Sequence, residues 1–130
     1  MMPDKNIAIC VVGCGNWGRN HIRTLHEFGI LGGIVDSNEE TLKKLNITYP
    51  SISVFDTVLT AIESKKFTGF VVATPADTHY EIAIQIINSG CHVLVEKPVT
   101  LNIEDACSLK EAAEAQHVNL MAGHVLLFHP

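Results

Sequence analysis

The sequence predicts an α/β domain built on a doubly wound parallel sheet, a fold in which helices cover both faces of the strands. Three observations lead to this prediction. Short apolar runs alternate six times with helical patterns, without an internal repeat. The first run enters a glycine-rich turn, and polar clusters follow several of the later runs. The expected strand order is 3-2-1-4-5-6, with right-handed crossovers.

The first predicted strand, Ile7 to Val12, leads into a turn of the form G-x-G-x-x-G. Gly13 would allow the tight turn, and Gly15 would let the backbone approach a pyrophosphate. Gly18 would let the following helix pack closely on the strands. The free N–H groups and the positive dipole end of that helix then face the phosphates. The turn therefore predicts a dinucleotide site.

The predicted first helix leads to a second strand that stops at an acidic residue. Ile22 and Leu25 share one stripe of this helix, and Gly29 is expected to close it. Asp36 would accept hydrogen bonds from both hydroxyls of the adenosine ribose and would repel a 2′-phosphate. The sequence thus predicts NAD rather than NADP. A helix cap at the strand end is the alternative role of Asp36.

The remaining elements follow from the same alternation of apolar runs and helical patterns. The other predicted strands are Ile52 to Phe55, Gly69 to Ala73, His92 to Val95 and Leu120 to Ala122. Ser37 or Asn38 can cap the second helix and Asp56 the third, and Asn102 resembles a cap for the last helix. The fourth strand is apolar throughout, as expected of a parallel strand covered on both faces.

Ligands in such a sheet lie outside the carboxyl ends of the strands, so the polar clusters there are the candidate site. Thr74 and Pro75 would form a rigid turn over the nicotinamide half of the cofactor, because proline fixes φ and lacks an N–H group. A helix start is the alternative role of this turn. His79 could lie at the surface in the first turn of the next helix, or it could contact the cofactor. Trp17 could stack on the cofactor or the substrate, or it could cover the helix start.

Lys97 is the candidate catalytic residue, because it follows a buried strand and stands between Glu96 and Pro98. An ammonium group beside a substrate hydroxyl can donate a hydrogen bond and stabilise an alkoxide as it develops. Burial at the strand end would help the side chain to exchange a proton. A solvated Glu–Lys pair at the end of a strand is the alternative.

Composition argues against several other classes of protein. The 130 residues fit one domain, 1–130, and the net charge of −5 comes without a basic stripe, which disfavours nucleic acid as a partner. No apolar run reaches the roughly 18 residues of a membrane span, and a signal peptide is not recognisable, so a cytoplasmic location is expected. The four cysteines form no C-x-x-C pair and predict free thiols, and no metal site is expected. His21 and His26 are expected at the surface, whereas His124 and His129 could face a substrate.

These motifs together resemble the N-terminal domain of the glucose–fructose oxidoreductase, inositol dehydrogenase and rhizopine-catabolism (Gfo/Idh/MocA) family. The matching segments are V-G-C-G-N-W-G-R-N-H at Val12 to His21, Asp36, A-T-P-A-D-T-H at Ala73 to His79, and G-C-H-V-L-V-E-K-P at Gly90 to Pro98. The resemblance implies an NAD(P)-dependent dehydrogenase of a sugar or cyclitol carbinol. It places Lys97 on the substrate hydroxyl and the nicotinamide ribose, places Glu96 in the cofactor cleft, and suggests a cis Lys97-Pro98 bond.

The W-G-R-N-H run is similar to the branch of the family that oxidises C3 of UDP-linked N-acetylglucosamine or its uronate. A free sugar, inositol or a biliverdin-like tetrapyrrole is the alternative substrate, and a stand-alone NAD-binding regulatory module is the alternative function. Family members continue into a second α/β domain that binds substrate, builds a homo-oligomer and supplies a catalytic histidine. We expect this chain to stop before that domain, to bind NAD and to turn over little substrate alone. The predicted cofactor-binding residues are Gly13, Gly15, Asn16, Trp17, Gly18, Asp36, Ser37, Thr74, Pro75, His79, Glu96 and Lys97.

Overall fold

Strands and helices alternate along residues 7–123, the part of the chain that the computed structural model describes. The strands are Ile9–Val12 (β1), Leu31–Val35 (β2), Ser53–Phe55 (β3), Gly69–Val72 (β4), His92–Glu96 (β5) and Leu120–Gly123 (β6). The helices are Asn16–Glu27 (α1), Glu39–Thr48 (α2), Val58–Glu63 (α3), His79–Asn88 (α4) and Ile103–Gln116 (α5). A short 3₁₀ turn, Ala76–Thr78, precedes α4.

All five pairings in the six-stranded sheet are parallel, and the strand order is β3-β2-β1-β4-β5-β6. The predicted fold class and strand order are therefore confirmed. The chain runs outward in one direction from β1 to β3 and in the other direction from β4 to β6. Because the direction changes between β1 and β4, a crevice opens at the carboxyl ends of these two strands.

The sheet separates two apolar layers, which is why its central strands are apolar at successive positions. Cys10 and Val12 of β1 pack in the layer that contains Ile86 of α4, whereas Val11 packs in the layer that contains Ile22 of α1. All four residues of β4 are buried. Each large aliphatic side chain buried in this way contributes about 1.5–3 kcal/mol to stability. Among residues 7–123, none of the helices is both long enough and apolar enough to cross a membrane.

Several helix ends follow the predicted chemistry. The side-chain oxygen of Asn38 accepts a hydrogen bond from the backbone N–H of Thr41 at 3.1 Å, so Asn38 rather than Ser37 caps α2. The side chain of Asn102 caps α5 in the same way. Gly29 follows the end of α1 with a φ of +74°, a conformation that glycine adopts without strain.

The predicted cap of α3 is wrong. Thr57 is the capping residue, and its hydroxyl accepts a hydrogen bond from the backbone N–H of Thr60 at 3.2 Å. Asp56 lies one residue earlier, directly after β3, so its side chain belongs to the exit of the strand and not to the helix. Within α3, Ala61 is the buried residue and Leu59 is 52% exposed.

Candidate cofactor site

A cavity of about 500 Å³ opens at the carboxyl ends of β1 to β4. Six of the predicted cofactor-binding residues line this cavity: Gly13, Gly15, Asp36, Ser37, Thr74 and Pro75. The other lining residues are Val12, Cys14, Val35, Asp56, Thr57, Val58, Ala73 and Ile82. Asn16, Trp17, Gly18, His79, Glu96 and Lys97 are not among them. The cavity therefore covers the half of the predicted site that surrounds Asp36.

The glycine turn between β1 and α1 forms the floor of the cavity. Gly13 has a φ of +95°, and a Cβ at this position would lie 2.8 Å from the backbone carbonyl of Ala73. A Cβ at Gly18 would lie 1.8 Å from the carbonyl oxygen of Gly13, so the close contact is with the turn itself rather than with the strands. A Cβ at Gly15 would meet no atom within 4 Å. Gly15 thus leaves open space in front of the backbone, where a pyrophosphate can approach.

The first turn of α1 is suited to an anion. Its N-cap, Gly15, makes no side-chain cap, and no acidic residue lies in the first turn. The N–H groups at the helix start therefore remain free for phosphate oxygens. Asn16 and Trp17 are exposed at this helix start. Arg19 is also exposed, and its Nε donates to the carbonyl oxygen of Cys14 at 3.1 Å.

Asp36 connects the glycine turn to the exit of β2. Its Oδ2 accepts from the backbone N–H of Cys14, and its Oδ1 accepts from the backbone N–H of Asn38, both at 2.9 Å. A carboxylate offers about four lone-pair positions, so two remain for a ribose diol. The helix cap proposed as the alternative role of Asp36 belongs to Asn38. The carboxylate is consequently held in place with free acceptor capacity toward the cavity.

The turn after β4 lines the same cavity as Asp36, and the ring of His79 contacts the backbone of this turn. Thr74 and Pro75 line the cavity, and their predicted position over the nicotinamide half stays a prediction. His79 is only 1% exposed, so the surface position, one of its two alternatives, is wrong, and contact with the cofactor stays a prediction. Its Nδ1 lies 2.7 Å from the carbonyl oxygen of Pro98, and its Nε2 lies 2.8 Å from that of Thr74. A neutral imidazole has one N–H and satisfies one of these oxygens, whereas the doubly protonated ring satisfies both.

The E-K-P segment begins with the last residue of β5 and lies outside the cavity. Glu96 is 8% exposed, and its carboxylate pairs with the ring of His21 on α1. His21, expected at the surface, keeps 26% of its side chain exposed, and its ring is engaged by this carboxylate. Lys97 is exposed, so the burial that would have helped its side chain to exchange a proton is absent. The Lys97-Pro98 bond is cis, as the family resemblance suggested. The contacts of Glu96 and Lys97 with a cofactor stay predictions.

Three further histidines have predicted positions. His26 is exposed, and its ring meets Tyr49 edge to face at a centroid distance of 4.8 Å. His124 and His129, which could face a substrate, lie outside the described residues. Within residues 7–123 there is no group of three or more His, Cys, Asp or Glu side chains that could hold a metal ion.

Sequence reasoning missed the contribution of β3 to the cavity. Asp56, Thr57 and Val58 line it because β3 pairs with β2, and the two strands end side by side. The predicted strand order already contained this signal, since it placed the exit of strand 3 beside Asp36. Ile82 of α4 lines the cavity as well.

These features fit an adenine dinucleotide: bare N–H groups for the pyrophosphate, a fixed carboxylate for the ribose, and apolar walls for the base. The sequence model of the Gfo/Idh/MocA oxidoreductase family, described as an NAD-binding Rossmann fold, matches residues 7–124. The chain belongs to this family. The predicted resemblance and NAD as the cofactor are thereby confirmed.

Gfo/Idh/MocA proteins similar to this chain include sugar-nucleotide dehydrogenases. The UDP-N-acetylglucosamine 3-dehydrogenase of Acidithiobacillus ferrooxidans is 30% identical over 125 residues, covering 92% of this chain and 37% of that protein. The crystal structure of GenD2 from gentamicin A biosynthesis, in complex with NAD, is 33% identical with a TM-score of 0.93, covering 100% of this chain and 37% of that one. The WlbA dehydrogenase from Bordetella pertussis, in complex with NADH and UDP-GlcNAcA, is 29% identical with a TM-score of 0.84, covering 92% and 35%. The chain therefore spans just over a third of the length of these relatives.

Proposed function

We propose that this chain is the cofactor-binding part of an NAD-dependent dehydrogenase that oxidises a carbinol of a sugar nucleotide. The observation that carries the proposal is the cavity at the glycine turn, where the fixed carboxylate of Asp36 stands opposite bare backbone N–H groups. The similarity to a UDP-N-acetylglucosamine 3-dehydrogenase and to a dehydrogenase solved with UDP-GlcNAcA supports the sugar-nucleotide class.

Oxidation of a carbinol removes a hydride from carbon and a proton from oxygen. NAD, held at the glycine turn and Asp36, would supply the hydride acceptor, so that oxidation of the carbinol would give a ketone, NADH and a proton. We assign Lys97 to the substrate oxygen, since its exposed side chain follows β5 on the same sheet edge as the cavity. Its ammonium group would donate a hydrogen bond to that oxygen and stabilise the negative charge that develops as the proton leaves.

The Lys97 turn is anchored on both sides by side chains of this chain. The Glu96–His21 pair attaches the end of β5 to α1, and the contact of His79 with the Pro98 carbonyl attaches the turn to α4. We propose that these two anchors position Lys97 toward a substrate. The substrate pocket and the group that receives the proton would lie in a second domain outside this chain.

Substrate identity is tested by assaying NADH formation from UDP-N-acetylglucosamine, its uronate, myo-inositol and glucose. The assay compares this chain with the longest reading frame that contains it. Oxidation of a sugar nucleotide by the longer product, with NAD binding but little turnover by this chain, is the expected result. Oxidation of myo-inositol or glucose in preference to both sugar nucleotides would refute the substrate class.

Lys97 is tested in the same longer product. A Lys97→Ala change should lower kcat by about 10²–10⁴-fold, the range typical for loss of a group that assists proton transfer, while NADH binding changes far less. Glu63→Gln, an exposed change far from the site, is the control. Unchanged turnover in the Lys97→Ala variant would remove Lys97 from the mechanism.

A further inference from the structure

Two aspartates follow the ends of neighbouring strands at the same level of the sheet. Val35 of β2 is the register partner of Phe55 of β3, so the next residues, Asp36 and Asp56, stand side by side. The backbone N–H of Asp36 donates to the carbonyl oxygen of Phe55 at 3.2 Å, which keeps the two exits together. Neighbouring strands lie about 4.8 Å apart. Both acidic residues line the cofactor cavity.

Asp56 has no structural task among the described residues. The capping role predicted for it belongs to Thr57. No hydrogen bond or ion pair within residues 7–123 involves its carboxylate, which is exposed at the rim of the cavity. Asp36, by contrast, is held by two backbone N–H groups. Asp56 therefore adds negative charge to the cavity without contributing a contact that holds the fold.

The charge of the two aspartates is not offset inside the cavity. Its lining contains no lysine, arginine or histidine among the described residues. Arg19 is a cation in the first turn of α1, but its Nε donates a hydrogen bond to the Cys14 carbonyl oxygen, and the residue does not line the cavity. A phosphate group on the ribose 2′-oxygen would enter this acidic rim with a charge of about −1.5 to −2. NAD carries a neutral hydroxyl at that position.

We propose that Asp56 is a second specificity-determining residue, which acts together with Asp36 to exclude NADP. Asp36 acts at short range. Its carboxylate would accept hydrogen bonds from the ribose hydroxyls of NAD, and it would directly repel the 2′-phosphate of NADP. Asp56 acts through space from the neighbouring strand. The proposal concerns the choice of cofactor and holds whichever carbinol the complete protein oxidises.

The through-space action of Asp56 makes its effect sensitive to salt. Repulsion between a carboxylate and a phosphate about 7 Å apart in a solvent-exposed rim lowers affinity roughly fivefold at low ionic strength, where screening is weak. At about 1 M salt the Debye length is only about 3 Å, so this contribution should vanish. A direct contact at Asp36 should respond much less to salt.

The test is a titration of NADH and NADPH, followed by nucleotide fluorescence, on this chain at low and high salt. The variants are Asp56→Asn, Asp36→Asn and the double change. Glu63→Gln removes the same charge at the opposite edge of the sheet and is the matched control. The quantity compared is the ratio of the two dissociation constants, in which general repulsion of the pyrophosphate cancels.

We expect Asp56→Asn to lower the ratio of the NADPH dissociation constant to the NADH dissociation constant about fivefold at low salt. At about 1 M salt the same change should leave this ratio nearly unchanged. The double change should lower the ratio more than Asp36→Asn alone. A ratio that moves no more in Asp56→Asn than in Glu63→Gln would overturn the proposal. Such a result, obtained with NADH still bound, would leave NAD binding and the proposed dehydrogenase function intact.

Discussion

Gly13 and Gly15 serve the same turn under different physical constraints. At Gly13 the backbone is in a conformation that residues with a Cβ rarely adopt, and a Cβ would press against the Ala73 backbone. At Gly15 the backbone is ordinary, with a φ of −76°, and the space beside it is empty. We therefore expect the first glycine to be required by the fold of the protein and the second by the ligand.

Two alanine substitutions separate these constraints. Gly13→Ala should lower the free energy of unfolding by about 1–3 kcal/mol or more, because it combines strain with a steric clash. Gly15→Ala should change stability by no more than about 1 kcal/mol, yet it should weaken NADH binding because its methyl group occupies the approach of the pyrophosphate. Urea unfolding and NADH titration measure the two effects. Equal NADH affinity of the Gly15→Ala chain and the unmodified chain would contradict this assignment.

His79 gives a second prediction at the residue scale. Replacement by alanine removes the ring that lies between the carbonyl oxygens of Thr74 and Pro98, and loss of the one hydrogen bond that a neutral imidazole donates there costs about 1–3 kcal/mol. The free energy of unfolding should therefore fall by at least about 1–3 kcal/mol. His26→Ala, at an exposed ring on Tyr49, is the control and should cost about 1 kcal/mol or less. Equal losses in the two variants would show that the His79 ring does not hold the two turns together.

The residue contacts of the site were only partly accessible from the sequence. Asp36 was predictable because its position depends on a local strand–helix–strand pattern. The partner of Glu96, His21, is 75 residues away in the sequence, and Pro98 is 19 residues from His79. Local patterns carry no information on such pairs, since they depend on how α1 and α4 pack on the sheet. The pairing of His21 with Glu96 and the exposure of Lys97 were consequently not predicted.

At the scale of single elements, β1 and its turn contain two buried thiols. Burial raises the pKa of the Cys10 thiol, and the nearby Cys14 adds to this effect. Burial also raises the pKa of Cys14 to about 12, with a further contribution from the Asp36 carboxylate. Both thiols therefore stay protonated at neutral pH and are poor nucleophiles. Cys107, by contrast, is exposed.

The difference between the thiol pKa of Cys14 in the folded protein and in the unfolded chain predicts a loss of stability at alkaline pH. The ordinary thiol pKa of 9.0 applies to the unfolded chain, so above that pH the unfolded state loses protons that the folded state retains. The free energy of unfolding should be unaffected by these thiols below pH 9 and should fall as the pH rises from 9 toward 12. Urea unfolding across this range should give a shallower decline for Cys14→Ala than for Cys107→Ala. Identical slopes would show that Cys14 ionises equally in both states.

The sequence was sufficient to predict which strands form, whereas it located their first and last residues less well. All six strands were predicted from their apolar runs, which are longest where the strand is covered on both faces, although β1 begins at Ile9 rather than Ile7. The cap of α3 was displaced by one residue, since Asp56 and Thr57 are both good capping residues and only the backbone decides between them. That displacement has a functional consequence, because it leaves Asp56 free at the cofactor cavity.

At the scale of the whole molecule, the strand order explains why distant motifs meet at one edge. The two halves of the sheet diverge from β1 and β4, so the glycine turn, Asp36 and the turn after β4 surround one crevice. The segment after β5 lies farther along the same edge. One α/β sheet thus supplies a nucleotide cavity and, beside it, an exposed lysine that a substrate could reach.

The most direct test of this account is a crystal structure of the chain soaked with NAD. We expect the pyrophosphate to rest on the backbone N–H groups at the start of α1, close to Gly15, and the adenosine ribose hydroxyls to bond the carboxylate of Asp36. A dinucleotide bound elsewhere on the chain, or a ribose turned away from Asp36, would contradict the account.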